Sequence, residues 1–266
     1  MYTLLSFILF NYHSFRFNMP VVWPVLIILV SSLTSFLWQY KTIYALKNEI
    51  DRLFGKFVSP QVKKLLLDDP TLINYEGQKK ELTVLFSDLR GFTSISENCE
   101  SSEIFSQLNQ YMYEMVNIII NEYNGTLDKF MGDAIMAFWG DPIPQNNHAE
   151  LAVKAAVRMT ERLDELNHEW KKKNWPELNI GIGINTGEML VGHLGGGIIL
   201  DYTVIGDNVN IASRLESLNK EYSTSILITD STYQQCKNIV NVNFVAERLV
   251  KGKSNLIKFF EILSLK

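Results

Sequence analysis

An α+β fold preceded by a membrane-crossing helix is what this sequence predicts, and three observations carry the reading. From Phe17 to Trp38 no side chain is charged, and at about 1.5 Å per residue such a run crosses a bilayer core of about 30 Å. From residue 76 onward, runs of strand composition alternate with long amphipathic helical patterns. Their order is strand, helix, strand, strand, helix, strand, which implies a ferredoxin-like βαββαβ core with helices on one face of its sheet.

The first element is the main span, at about 19–38, within a membrane region 1–38. Trp23 and Trp38 sit near its ends, as interfacial aromatics do, and Pro20 and Pro24 fall in its first turns, where a helix tolerates them. Lys41, Lys47, Arg52 and Lys56 follow it against Arg16 before it, so the positive-inside rule puts the C-terminal part in the cytoplasm, at a cell or inner membrane. Residues 2–11 are apolar but short for a span, which leaves a second, truncated or re-entrant segment open. No basic n-region precedes them to make a cleaved signal peptide.

Residues 39–75 form the second region. Ile43, Leu46, Ile50, Leu53 and Phe57 recur at alternating spacings of three and four, an a/d seam. Two heptads fit a short coiled coil between copies of the chain or one amphipathic helix lying on its own domain. "VSPQVKKLLLDDP" then predicts a short helix ending by Pro70.

The third region, 76–266, holds the α+β domain. "ELTVLFSD" predicts a strand. In 101–125, Ile104, Leu108, Met112, Met115, Ile119 and Tyr123 make one helical face and Gly125 stops the helix. "TLDKFMGDAIMAFWG" is two short runs about a Met-Gly turn, a hairpin. In 146–173, Ala152, Ala156, Met159, Leu163, Leu166 and Trp170 face inward on a second long helix. "LNIGIGINTG" and "EMLVGHL" predict two strands, with "GHLGGG" a mobile loop. "DYTVIGDNVNIASRLESL" runs from strand to helix, and "SILITD", "VNFVAERLV" and "LIKFFEILS" are further strands.

A chain of 266 residues, net charge −4 and near-average composition is neither disordered nor a general nucleic-acid binder. Cys99 and Cys236 lie far apart without a CxxC or Cys/His cluster, which fits packing residues in a reducing compartment. The four histidines have no ligand spacing.

Two acids stand out. Asp88 closes the first strand, and Asp133 follows the hairpin turn and precedes an apolar strand. At the tips of neighbouring strands they could meet at one edge, where a divalent cation would remove their repulsion. Oxygen ligands suit magnesium or manganese, which bridge carboxylates and nucleotide phosphates. Each acid alone reads equally well as a solvated turn residue. After Asp88, "LRGFTS" adds Gly91 and a helix start, so that backbone N–H groups about Arg90, Gly91, Phe92 and Thr93 could receive a polyphosphate.

"FSDLRGFTSISE", "LDKFMGDAIMAFWG", "GIGINTGEMLVGHLG" and "YTVIGDNVNIASRLE" occur in that order. Together they resemble the class III nucleotide cyclases, the adenylate and guanylate cyclase catalytic domain, over roughly residues 78–262. "FGKFVSPQVKKLLLDDP" also resembles the approach segment of bacterial membrane-anchored adenylate cyclases.

The resemblance implies that Asp88 and Asp133, with the Leu89 carbonyl, hold two Mg2+ or Mn2+ ions. The ribose 3′-oxygen then attacks the α-phosphorus in line and pyrophosphate leaves. It further implies that Asn210 orients the ribose and Arg214 stabilises the transition state. Lys129 and Thr203 match the purine-reading positions: Lys129 can only donate, which suits adenine N1, whereas the Thr203 hydroxyl can accept or donate. ATP is the expected substrate and cyclic AMP the product, with guanylate cyclase or an inactive nucleotide-binding and dimerisation module as alternatives. The Lys/Thr pair also resembles adenylate cyclases stimulated by bicarbonate. A lysine for the β- and γ-phosphates falls among Lys251, Lys253 and Lys258, with Lys258 the chosen candidate. The family's division of residues between subunits implies a head-to-tail homodimer with shared sites, serving signal transduction.

Overall fold

A computed structural model describes residues 26–49, 77–97, 99–196, 199–249 and 256–266. Residues 2–11, the start of the expected span, Ile50, Leu53, Phe57, the short helix before Pro70, Lys251 and Lys253 lie outside the described residues. The chain divides into two units, 1–57 and 58–266. In the first, helix α1 (Leu26–Glu49) runs for 24 residues without a break, so the end of the apolar stretch and the first part of the seam are one helix. By length and composition it can cross a membrane.

The second unit is built on an eight-stranded sheet. Strand β1 (Gln78–Leu89) leads to α2 (Phe92–Glu97) and α3 (Ser101–Asn117), which passes into a π turn at Ile118–Glu122. Strands β2 (Thr126–Met131) and β3 (Ala134–Trp139) form the expected hairpin, followed by α4 (His148–Lys171) and β4 (Ile180–Gly196). Strand β5 (Ile199–Ile205), α5 (Asp207–Tyr222), β6 (Ile226–Thr229), α6 (Asp230–Cys236), β7 (Val240–Leu249) and β8 (Leu256–Leu265) complete it. The order β2-β3-β1-β4-β6-β8-β7, with β1 antiparallel to both β3 and β4, contains the βαββαβ core the sequence predicts.

The helices of that core lie on one face. Tyr111 and Met115 of α3 and Ala152, Ala156, Met159, Leu163 and Trp170 of α4 pack with Leu85, Ile135, Ala137, Ile182 and Ile184 of the strands. Helix α5, outside the βαββαβ core, covers part of the opposite face, where Val209 and Ala212 meet Val84, Phe86, Met136 and Phe138. Strand alternation explains the division: successive side chains of β1 point to opposite faces, so Leu85 and Phe86 enter different clusters.

Two local expectations are corrected. The predicted strands "LNIGIGINTG" and "EMLVGHL" are one strand, β4, because Gly187 does not turn the chain. It leaves room instead: a Cβ there would come within 2.6 Å of the Asn208 side-chain nitrogen. The residues 192–196 of the expected mobile loop pair with β5, Gly192 opposite Thr203 and Gly196 opposite Ile199. Helix α6 escaped the sequence reading because its seven residues are too few to show a helical period.

Candidate active site

Asp88 and Asp133 come together. Strand β1 pairs with β3 in a register that sets Ser87 opposite Ile135, so the end of β1 lies beside the β2–β3 turn. The two carboxyls lie close enough for Asp133 to act directly on Asp88. Burial holds the Asp88 carboxyl above the usual carboxylate range, Asp133's charge adds to that, and Arg90 opposes it. Such a pair fits a divalent cation, since two close oxygen donors relieve their repulsion by sharing a positive ion. Leu89 is 3% exposed with its side chain in the core, so only its backbone can serve this edge. Among the described residues no group of three or more His, Cys, Asp or Glu forms a cation cage. Two acids therefore need phosphate oxygens and water to complete a coordination shell.

The turn after Asp88 differs from the expectation at Arg90. Its backbone N–H donates to Asn179 O at 2.7 Å. Its guanidinium lies over Gly181, where a Cβ would meet Nη2 at 1.9 Å, and reaches Glu216 on α5, with Nη1 3.7 Å from Oε1. Arg90 is thus engaged within the chain by both its amide and its side chain. Gly91 has φ +66°, a left-handed turn that favours glycine. Phe92 packs against the core, while Thr93 is exposed.

Glu216 is a third acid near this edge, and sequence reasoning missed it. Burial pushes its carboxyl up to about 7, with the charge of Asp88 next in weight and Arg90 opposing both. The available signal was an arginine two residues after Asp88 and a glutamate two residues after Arg214.

Asn210 and Arg214 lie on α5 four residues apart, hence on one face. That face is the far one. The buried residues of α5 are Val209, Ile211, Ala212, Leu215 and Asn219, and at about 100° per residue Asn210 and Arg214 project from the opposite side. Asn210 is exposed and Arg214 half-buried. Glu216 sits on the inward side, so one helix presents Glu216 to its own β1 and Asn210 with Arg214 away from it. Gly183 lets α5 lie this close: a Cβ there would meet Glu216 N at 2.2 Å and Ala212 O at 2.3 Å.

Lys129 and Thr203 are brought together by a residue between them that the motif reading passed over. Asp128 accepts a hydrogen bond from Thr203 Oγ1 at 2.6 Å through Oδ2, and its Oδ1 lies 3.1 Å from Lys129 Nζ. Lys129 Nζ also approaches Asp201 Oδ2 at 3.7 Å. Asp128 occupies a bulge, because the register passes from Leu127 opposite Ala137 to Lys129 opposite Met136. The extra residue turns Lys129 from the helix-covered face, which holds Ala137, to the face holding Met136. Burial raises the Asp128 carboxyl, while the Thr203 hydroxyl, Lys129 and a backbone bond from Val204 oppose it. Lys258, exposed on β8, lines a cleft with Asn208 and Ile211 of α5, so it belongs beside the Asn210 helix rather than the acid pair.

A mixed sheet whose edge joins two acids, with an outward Asn/Arg helix and a Lys/Thr pair, defines a nucleotide cyclase catalytic domain. The family model for the adenylate and guanylate cyclase catalytic domain matches residues 74–262, and the chain belongs to that family. It is 34% identical over 187 residues to adenylate cyclase 1 of Rhizobium meliloti, covering 70% of this chain and 28% of that protein. It is 39% identical over 190 residues to an adenylate cyclase of Anabaena cylindrica, covering 69% and 37%. The chain therefore spans well under half the length of either relative, 28% of the first and 37% of the second. Among solved structures, the adenylyl cyclase CyaB of P. aeruginosa superposes with a TM-score of 0.66 at 38% identity, over 71% of this chain and 96% of that one. The guanylyl cyclase Cya2 superposes with a TM-score of 0.66 at 35% identity, over 71% and 95%.

Proposed function

We propose that this chain is an adenylate cyclase that converts ATP to 3′,5′-cyclic AMP and pyrophosphate, at sites shared between two copies of the chain. The observation that carries the reading is the opposed placement of two residue sets. Asp88 and Asp133 meet at one edge, while Asn210 and Arg214 project from the side of α5 turned away from its own sheet. A single chain offers both halves without closing them on each other, which a head-to-tail homodimer would do.

In this reading Lys129 donates to adenine N1 and Thr203 accepts from N6. Asn210 orients the ribose, and Arg214 donates to the α-phosphoryl oxygens as charge grows there. Lys258 meets the β- and γ-phosphates. Asp88, Asp133 and the Leu89 carbonyl would hold two Mg2+ or Mn2+ ions, which when bound supply a lowered pKa for the 3′-hydroxyl and neutralise triphosphate charge. The bond from the 3′-oxygen to the α-phosphorus forms as the bond to the bridging oxygen breaks, and pyrophosphate departs. Held at a membrane by α1, the catalytic part would face the cytoplasm and serve signal transduction.

The test is product identification from the purified chain with Mn2+ and either ATP or GTP. Cyclic AMP from ATP, with little cyclic GMP, is the expected result; equal turnover of both would reject the assignment. Guanylate cyclase is the second reading, favoured by the likeness to Cya2 and opposed by Lys129, which has no acceptor for guanine N1–H. Nucleotide binding without either product would leave an inactive module. Stimulation by bicarbonate at fixed pH is a subsidiary expectation, removed by an absent response.

A further inference from the structure

We propose that Asp128 is a specificity-determining positioning residue: it accepts the hydrogen bond that the Thr203 hydroxyl donates and so leaves Thr203 an acceptor toward the nucleotide base. The inference rests on the assignment of Lys129 and Thr203 as base readers and deepens it.

A threonine hydroxyl has one proton and two lone pairs, so an unrestrained Thr203 would serve a purine 6-amino or 6-keto group alike. Here the choice is made from behind. The Asp128 side chain is 0% exposed, and an ionised carboxylate only accepts. Its Oδ2 lies 2.6 Å from Thr203 Oγ1, so the hydroxyl proton points to Asp128 and the lone pairs remain for a ligand. Its Oδ1, 3.1 Å from Lys129 Nζ, also steadies the ammonium. One buried carboxylate thus sets an obligate donor and an obliged acceptor side by side. That pair complements adenine, with N1 accepting and the 6-amino group donating. It opposes a 6-oxopurine, in which both roles are reversed. Thr203 also borders an apolar cleft with Leu190, Gly192, Leu194 and Ile205, a surface suited to the flat face of a base. The bulge at Asp128 makes this possible, since the inserted residue reaches Thr203 without displacing Lys129 from its place opposite Met136.

The substitution Asp128→Asn tests the claim without changing size. Lys129 can only donate, so it draws the new amide oxygen toward itself and turns the amide NH2 toward Thr203. The Thr203 hydroxyl must then accept from Asn and direct its proton to the ligand. The full chain, purified in detergent, is assayed with ATP and with inosine triphosphate, which presents N1–H and a 6-keto group without guanine's 2-amino group. Asp128→Asn should lower the ATP:inosine triphosphate ratio of kcat/KM by about tenfold or more. Thr203→Val should lower it as well, and adding Asp128→Asn to Thr203→Val should change it little further. A purely structural role for Asp128 would impair both nucleotides alike. If turnover is too slow to compare, displacement of a fluorescent ATP analogue by the two nucleotides reads the same ratio. A lowered ratio in Thr203→Val with an unchanged one in Asp128→Asn overturns the inference and leaves the base readers standing. An unchanged ratio in Thr203→Val overturns the base-reader assignment and the inference with it.

Discussion

Arg90 ties the end of β1 to helix α5 through Glu216, Nη1 to Oε1 at 3.7 Å, with the two side chains 23% and 12% exposed. The same guanidinium donates to the Glu216 carbonyl at 3.5 Å. Within one chain the tie joins the strand that carries Asp88 to the helix that carries Asn210 and Arg214. It therefore connects pieces that would serve two different sites of a dimer.

Replacing Arg90 with Met removes the cation but keeps much of the side-chain volume. Glu216 is left with less compensation for its burial, so urea denaturation should show a loss of about 1–3 kcal/mol. Adding Glu216→Met should recover part of it. An Arg90→Met domain as stable as the parent would show that the tie is ornamental to the fold.

Gly183→Ala places a methyl group against backbone atoms of α5, at 2.2 Å from Glu216 N and 2.3 Å from Ala212 O. Neither atom is a flexible side-chain end, so the helix must move. The expected cost is about 1–3 kcal/mol or more, with a fall in turnover larger than that of Gly196→Ala, where nothing lies within 4 Å. Equal effects of the two substitutions would count against close helix–strand packing as the reason for Gly183.

Asp88→Ala and Arg214→Ala should each inactivate a homodimer, since every site would then lack one partner. Mixed in equal amounts, they should regain about a quarter of parental activity, because about half the dimers are mixed and each has one intact site. Absence of rescue, with subunit exchange verified by differently tagged chains, would sink the shared-site reading.

Divalent cation should raise the melting temperature of the parent chain, because a ligand that binds only the folded state stabilises it. Asp88→Asn and Asp133→Asn should lose most of that rise, and a chelator should abolish cyclase activity. A Mn2+-induced shift undiminished in both variants would place the cation elsewhere.

His148 offers a pH test. Its ring is 8% exposed, its Nδ1 lies 2.8 Å from Thr83 Oγ1, and burial lowers its pKa. The unfolded chain takes up the proton first as pH falls below about 6.5. Stability should therefore be greatest above that pH and decline through the window down to the lowered folded value. His148→Gln should flatten this part of the pH–stability curve. An identical slope in parent and variant would exclude His148 as its source.

The sequence was most readable where one local pattern matched one local structure. The hairpin about Gly132 and the long helix His148–Lys171 follow from turn chemistry and a 3.6-residue apolar period. The continuous strand through Gly187 was misread because a glycine in a strand looks like a turn, whereas here it admits Asn208 from α5. The acids Asp88 and Asp133 were visible as carboxylates at strand tips. Asp128 and Glu216 were not, since each derives its role from a partner far along the chain, Thr203 and Arg90.

By itself, then, the sequence determined the alternation of strands and helices, the long apolar segment and the order of the cyclase motifs, all of which depend on near neighbours. Only the tertiary structure decided that Arg90 is held by Glu216, that Asn210 and Arg214 face away from their own sheet, and that a bulge sets Asp128 behind Lys129 and Thr203. The reason is physical: a proton's direction and a helix's outward face depend on which distant backbone lies within a few ångströms, and sheet register sets that distance.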